Sequence, residues 1–133
     1  MRGWDVPMLE EAVQKKIWAV VGATNNKEKF GCKIYNRLVK AGYEVYPVNP
    51  GLTEIDGAKC YPSIEELPVI PEVVNVVVPP KIAVETVKAA AEKGTKIVWL
   101  QPGADKQEVV QAAQEAGLEV IKDCVLTRIF VKK

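Results

Sequence analysis

Gly22 falls near the end of an apolar run, Ile17 to Ala23, and Gly31 stands nine residues after it. Thr24 and Asn25 follow the first glycine, and Lys27, Lys29 and Lys33 surround the second. A glycine loop that feeds a helix is a place to hold phosphate. The exposed N–H groups and the dipole at the helix N-terminus favour an anion. Gly22 permits the turn and lets a ligand approach the backbone closely, and the lysines supply positive charge. A second group, Val48-Asn49-Pro50, ends the next apolar run. Dinucleotide sites usually place Asp or Glu there to hold a ribose hydroxyl. The neutral Asn49 can hydrogen-bond to ribose or phosphate without repelling a ribose phosphate. The spacing is not G-x-G-x-x-G, and GxxxxGK[ST] is missing, so an NAD site matches weakly and ATP hydrolysis is disfavoured. Two readings fit these residues. One is a site for a phosphorylated nucleotide; the other is a tight βα turn with lysines that solvate a helix end.

Catalytic groups are scarce. The chain has no histidine, which excludes a Ser-His-Asp triad and any histidine metal site. Cys32, Cys60 and Cys124 show no CxxC spacing, against a zinc site or a disulfide framework. Cys32 falls in the first turn of a helix, where the dipole lowers a thiol pKa, but it reads more simply as a small buried residue. Cys60 reads as packing. Glu10-Glu11 and Glu65-Glu66 are adjacent in sequence and do not share one helix face. No constellation carries a reaction, so the expectation is a protein without catalysis of its own.

The elements that would position these groups alternate. Val6 to Lys16 is expected as a leading helix, with Pro7 in its first turn and Leu9, Ala12 and Val13 on one face. Ile17 to Ala23 is the first strand. Ile34, Tyr35, Leu38 and Val39 repeat at helical spacing up to a stop at Gly42. Tyr43 to Val48 is the second strand and Leu52 to Pro62 an irregular connection. Ser63 and Glu66 form a capping-box pattern. Val73 to Val78 is the third strand. A helix starts at Pro79-Pro80 with Ile82, Ala83, Thr86, Val87, Ala90 and Ala91 inward, and ends at Gly94. Lys96 to Leu100 is the fourth strand. Asp105 caps a helix with Val109, Ala112, Ala113 and Ala116 inward, stopped by Gly117. Leu118 to Ile121 is the fifth strand, and Asp123 to Lys133 a tail of undefined form. Trp18 and Trp99 fall inside strands and read as core, while Trp4 is expected to cover a surface groove. Strands apolar on both faces belong to a parallel sheet with helices on each side. The fold class is therefore α/β, a doubly wound, Rossmann-like, five-stranded parallel sheet with helices on both faces.

The 133 residues fit one domain, 1–133, and 48% apolar with 26% charged residues is ordinary globular composition. A net charge of +1 gives no reason to expect nucleic acid or an anionic membrane as partner. The absence of a long apolar run and of a signal-peptide pattern makes the expected location cytoplasmic.

Four blocks carry a resemblance: Ala19-Val20-Val21-Gly22-Ala23-Thr24; Gly42-Tyr43-Glu44-Val45-Tyr46-Pro47-Val48-Asn49-Pro50; Gly57-Ala58-Lys59-Cys60-Tyr61-Pro62-Ser63; and Val98-Trp99-Leu100-Gln101-Pro102-Gly103-Ala104. In order and spacing the chain resembles the small CoA-binding domain proteins, similar to the N-terminal domain of the succinyl-CoA synthetase alpha subunit. The resemblance covers residues 10 to 126. It implies coenzyme A, or an acyl-CoA, lying across the carboxyl edge of the sheet. Gly22, Ala23, Thr24 and Asn25 would meet the phosphates, with Lys29 and Gly31 beside them. Val48, Asn49 and Pro50 would flank the adenosine. Val78, Pro79, Pro80 and Ile82 would cover the adenine or the start of the pantetheine arm, and Gln101, Pro102 and Gly103 would border the thiol end. Cys124, after the last strand, would approach that end, where a disulfide with the CoA thiol requires an accessible thiolate. Many relatives carry a basic residue directly after the VNP block, suited to the 3′-phosphate; here Gly51 stands in that place. In the synthetase the phosphorylated histidine lies in a second domain, and this chain has no histidine. Three functions follow: a non-catalytic CoA-binding module; a subunit of an acyl-CoA-handling enzyme completed by a partner chain; or an NAD(P)-binding domain related by fold alone. The basic tail Arg128 to Lys133 is a candidate dock for a second subunit.

Overall fold

In a computed structural model the chain forms five parallel strands in one sheet, and the structure describes residues 6–129. Helix α1 (Val6–Gln14) leads into β1 (Ile17–Val21), α2 (Phe30–Lys40) and β2 (Glu44–Val48). A small hairpin, β3 (Glu54–Ile55) and β4 (Ala58–Lys59), and a 3₁₀ turn over Ile64–Glu66 follow. Then come β5 (Val73–Val76), α3 (Pro80–Lys93), β6 (Ile97–Leu100), α4 (Gln107–Glu115), β7 (Glu119–Lys122) and the short α5 (Val125–Arg128). The sheet order is β2-β1-β5-β6-β7. The expected doubly wound architecture is therefore present. Its strand order reverses between β1 and β5, which is where ligands enter open α/β sheets.

Apolar strands sort their side chains by parity. Ala19, Val21, Val74, Val76, Val98 and Leu100 face one core, closed by Ala83, Val87 and Ala90 of α3 and Val109 and Ala113 of α4. Trp18, Val20, Val73, Ile97 and Trp99 face the other, closed by Ala12, Ile34, Tyr35, Leu38 and Val125. Burying each of these Val, Leu and Ile side chains contributes about 1.5–3 kcal/mol. Trp18 and Trp99 are fully buried, as expected, with ring centroids 5.6 Å apart. Each indole N–H keeps a carbonyl partner, Lys15 for Trp18 and Asp123 for Trp99, both at 2.9 Å, which removes the cost of burying the donor.

Several boundaries differ from expectation for local reasons. β1 stops at Val21 because Gly22 turns to φ 103°. Residues 52 to 62 are not irregular throughout. Asp56 and Gly57 both have positive φ, the requirement of a two-residue hairpin turn, and they join β3 to β4. Tyr61 then hydrogen-bonds along the outer edge of β2, its N–H to the Pro47 carbonyl at 3.0 Å and its carbonyl to the Asn49 N–H at 2.9 Å, so that edge is covered. Ser63 makes no side-chain cap, so the capping-box pattern ends in a single 3₁₀ turn. The residue capping α4 is Lys106, not Asp105; Asp105 instead accepts the Gly103 N–H at 3.1 Å. Ile82 and Ala116, expected inward, are exposed, and so is Val39 of the helical repeat in α2. Val39 falls in the last turn of α2 and Ala116 at the C-terminal cap of α4. The tail takes form as α5. The Arg37 guanidinium holds it, donating to the carbonyls of Leu126 at 3.0 Å and Ile129 at 2.8 Å. Trp4 and the end of the basic tail lie outside the described residues.

Candidate functional site

Three loops meet at Gly22. Its N–H donates to the Val48 carbonyl at 3.0 Å, at the end of β2, and the Val77 N–H after β5 donates to the Val21 carbonyl at 2.9 Å. A Cβ on Gly22 would run into the Val77 carbonyl, and the positive φ disfavours any other residue as well. A Cβ on Gly31, the second residue of α2, would run into the Gly22 carbonyl. The two glycines spaced nine apart thus do what a tighter glycine fingerprint does elsewhere. One lets the chain turn at the switch point, and the other lets the helix start pack on that turn.

The intervening loop organises itself. The Thr24 hydroxyl accepts the Asn26 N–H at 3.2 Å, and the Asn26 side-chain oxygen accepts the Glu28 N–H at 3.1 Å. Lys29 is the residue before α2 and makes no side-chain cap. The Lys29 carbonyl takes the Cys32 N–H at 3.2 Å and the Lys33 N–H at 3.3 Å, and no side chain caps the Phe30 and Gly31 amides that precede them. The first turn of α2 carries no acidic residue. Asn25, Lys27 and Lys29 are exposed beside it, with Glu28 between the two lysines, so the loop carries a small net positive charge. The Ala23 side chain is fully buried in the α2-side core, which leaves its backbone to the loop.

Asn49 lies where expected, but its side chain has internal partners. Its amide donates to the Ala23 carbonyl and its oxygen accepts the Gly51 N–H, each at 2.9 Å. It joins two of the site's loops. Gln101 is also turned inward, 3% exposed, its oxygen accepting the Asn75 amide at 3.2 Å and the Val125 N–H at 2.8 Å.

The carboxyl edge holds two clefts. The larger, about 360 Å³, runs between the β2 end, the 3₁₀ turn and α3, and includes Val48, Pro50, Ser63, Ile82 and Thr86. The smaller, about 230 Å³, lies between the loops after β5 and β6 and is lined by Val77, Val78, Pro79, Pro102, Gly103 and Ala104. Pro80 opens α3 between them. Ile82 is exposed because it faces the larger cleft at the helix mouth. Ser63, Glu65, Glu85 and Thr86 were not anticipated at the site. Ser63 belongs to the capping-box pattern, makes no cap, and lines the cleft instead.

Cys32 and Cys60 are buried, and Cys124 is half-buried at the start of α5. Burial pushes the Cys60 thiol above its ordinary value, against a weaker lowering by the Asn49 backbone. Among the described residues no three His, Cys, Asp or Glu side chains cluster to hold a metal ion, and no helix is long and apolar enough to cross a membrane.

The family model for the CoA binding domain matches residues 16–129. The chain is 33% identical over 119 residues to the alpha subunit of ADP-forming acetate–CoA ligase II from Pyrococcus furiosus, a match covering 80% of this chain and 26% of the relative. It thus spans about a quarter of that relative's length. It is 29% identical over 127 residues to YneT, an uncharacterized Bacillus subtilis protein, covering 94% of both. Among solved structures, a hypothetical protein from Pyrococcus horikoshii superposes with a TM-score of 0.86 at 36% identity, over 96% of this chain and 89% of that one.

Proposed function

The chain belongs to the CoA-binding domain family, and we propose that it binds CoA or an acyl-CoA without catalysing a reaction itself. The observation that carries this reading is the junction of Gly22, Gly31 and the Val77 carbonyl at the switch point. That junction packs the start of α2 on the turn after β1, and the chain segments that meet there carry Val48, Pro50, Val77 and Val78 into the two clefts. The residues fit the ligand chemically. The α2 amides with Lys27 and Lys29 would hold the pyrophosphate. Val48, Pro50 and Ile82 offer an apolar wall for the adenine, and Val78, Pro79, Pro102 and Gly103 offer an apolar channel for the pantetheine arm. Bound CoA would supply a thiol or thioester. In this reading the chain's own groups bind and orient it, and no described residue is assigned a proton transfer at the thioester.

A second reading is a part of an acyl-CoA-handling enzyme completed by another chain. It is favoured by the relative whose name is a ligase alpha subunit. Calorimetric titration with CoA and NAD in parallel, together with a thiol-release assay on acetyl-CoA, tests both. Saturable CoA binding, no NAD heat and intact acetyl-CoA support the module. Acetyl-CoA consumption by the purified chain overturns the non-catalytic reading, and NAD binding without CoA binding overturns the ligand.

A further inference from the structure

Two aromatic rings rest on the core without being enclosed by it. Tyr46 of β2 and Tyr61, just past β4, pack against the α3-side core yet stay half-buried. On that side of the sheet α3 packs on β5 and α4 on β7, whereas α2 packs on the opposite face of β2. The outermost strand thus carries its rings at the margin of the helical cover.

These rings are joined to a charge at each end. The Lys59 ammonium sits 5.0 Å from the centre of the Tyr61 ring. The Tyr61 and Tyr46 centroids are 6.1 Å apart, with the rings tilted at 55°. The Tyr46 hydroxyl donates to the Glu44 carboxylate. The contacts run cation, ring, ring, anion. Lys59 and Glu44 are both exposed, and neither has an ion-pair partner among the described residues.

That order is its own complement. A second copy turned end for end about a two-fold axis sets its Glu44 against Lys59, its Lys59 against Glu44, and its Tyr46 against Tyr61. A symmetric dimer interface requires this self-complementarity. Tyrosine suits such a contact because it brings area and a polar tip at low entropic cost. A polyanion or an anionic membrane would be repelled by Glu44, and a partner of one charge sign would leave one end of the row opposed.

We propose that a second copy of this chain docks on Lys59, Tyr61, Tyr46 and Glu44, giving a symmetric dimer with reciprocal Tyr46–Tyr61 contacts and reciprocal Lys59–Glu44 ion pairs. A contact of this size belongs to the small, transient end of interfaces, so association in the upper micromolar range is expected. None of the four side chains is assigned to the ligand, so the dimer stands or falls separately from CoA binding.

Sedimentation velocity of the whole chain, up to near-millimolar concentration and at low and moderate salt, tests this. The expected result is a dimer that loosens as salt screens its exposed ion pairs. Lys59→Glu and Glu44→Lys each turn both attractions into repulsions, and each variant alone should dimerise about tenfold or more weakly at low salt. Mixed in equal amounts, the two variants regain opposite charges across both contacts and should pair with each other as tightly as wild type pairs with itself. Circular dichroism confirms that each variant is folded. A wild-type chain that stays monomeric throughout overturns the proposal. So does a dimer indifferent to both reversals, or a mixture of the two variants that stays apart.

Discussion

The Asn49 side-chain amide donates to the Ala23 carbonyl at 2.9 Å, tying the end of β2 to the loop after β1. The same side chain accepts the Gly51 N–H, also at 2.9 Å. Asn49→Asp keeps the acceptor for Gly51 but sets a carboxylate against the Ala23 carbonyl. We expect a loss of about 1–3 kcal/mol, the cost of an unpaired polar contact in a half-buried place. CoA affinity should fall with it, because the phosphate loop loses its tether. Urea unfolding at neutral pH measures the first effect as a lower midpoint at constant slope. An unchanged midpoint would show that the clamp contributes nothing.

Gly31 and Gly51 make opposite predictions for the same substitution. At Gly31 an added methyl meets the Gly22 carbonyl, which is backbone and cannot rotate away. Gly31→Ala should cost about 1–3 kcal/mol, as overpacking does, and should weaken CoA binding by displacing the start of α2. At Gly51 the nearest atom is a side-chain oxygen at ordinary contact distance. Gly51→Ala should stay within about 0.5 kcal/mol of wild type. Equal effects of the two would sink the close-approach account of Gly31.

These two glycines also show what the sequence could reveal. The sheet was legible because strands buried on both faces read as continuous apolar runs, Val73 to Val76 most plainly, and glycine stops mark the helix ends. The Asp56-Gly57 turn was a readable signal, but its flanking strands are two residues each, too short to show alternation. Asn49 and Gln101 were located by sequence, yet their side-chain partners were not. A carboxamide at a loop can face a ligand or the protein, and only the fold decides which. Ile82 obeys the helical period of α3 but lies in its first turn, at the cleft mouth, so the period assigns it to the core wrongly.

Gln101 and Asn75 separate a needed hydrogen bond from a dispensable one. The Gln101 oxygen accepts two buried donors, the Asn75 amide and the Val125 N–H. Gln101→Ala leaves both unpaired and should cost about 2–6 kcal/mol, one to three for each. Asn75 is fully buried, and its own oxygen has no partner among the described residues. Asn75→Val removes that orphan and leaves Gln101 its bond to Val125. Its cost should stay below about 1 kcal/mol, or become a gain. Thermal unfolding of both variants checks this. An Asn75→Val variant as unstable as Gln101→Ala would mean that the Asn75 oxygen holds a donor in solution.

Stability should fall in alkali, in two stages with one sign. Burial raises the Cys60 thiol above its ordinary 9.0, against a lowering by the Asn49 backbone. Tyr35 is raised above 10.0 by burial first, then by Asp56 and Cys60. Tyr43 is raised above 10.0 by burial, and its hydroxyl donates to the Val13 carbonyl. In each case the folded protein keeps a proton that the unfolded chain releases. The contribution is therefore complete below the unfolded pKa and is lost as pH rises through the folded one. The slope is at most about 1.4 kcal/mol per pH unit for each group. Stability should hold up to about pH 9, decline as the unfolded thiol ionises, and decline more steeply above about pH 10 as the tyrosines join. Cys60→Ala should flatten the first stage and leave the second. Urea midpoints between pH 8 and about pH 11 measure both. A Cys60→Ala profile parallel to wild type through the first stage would show that Cys60 does not carry it.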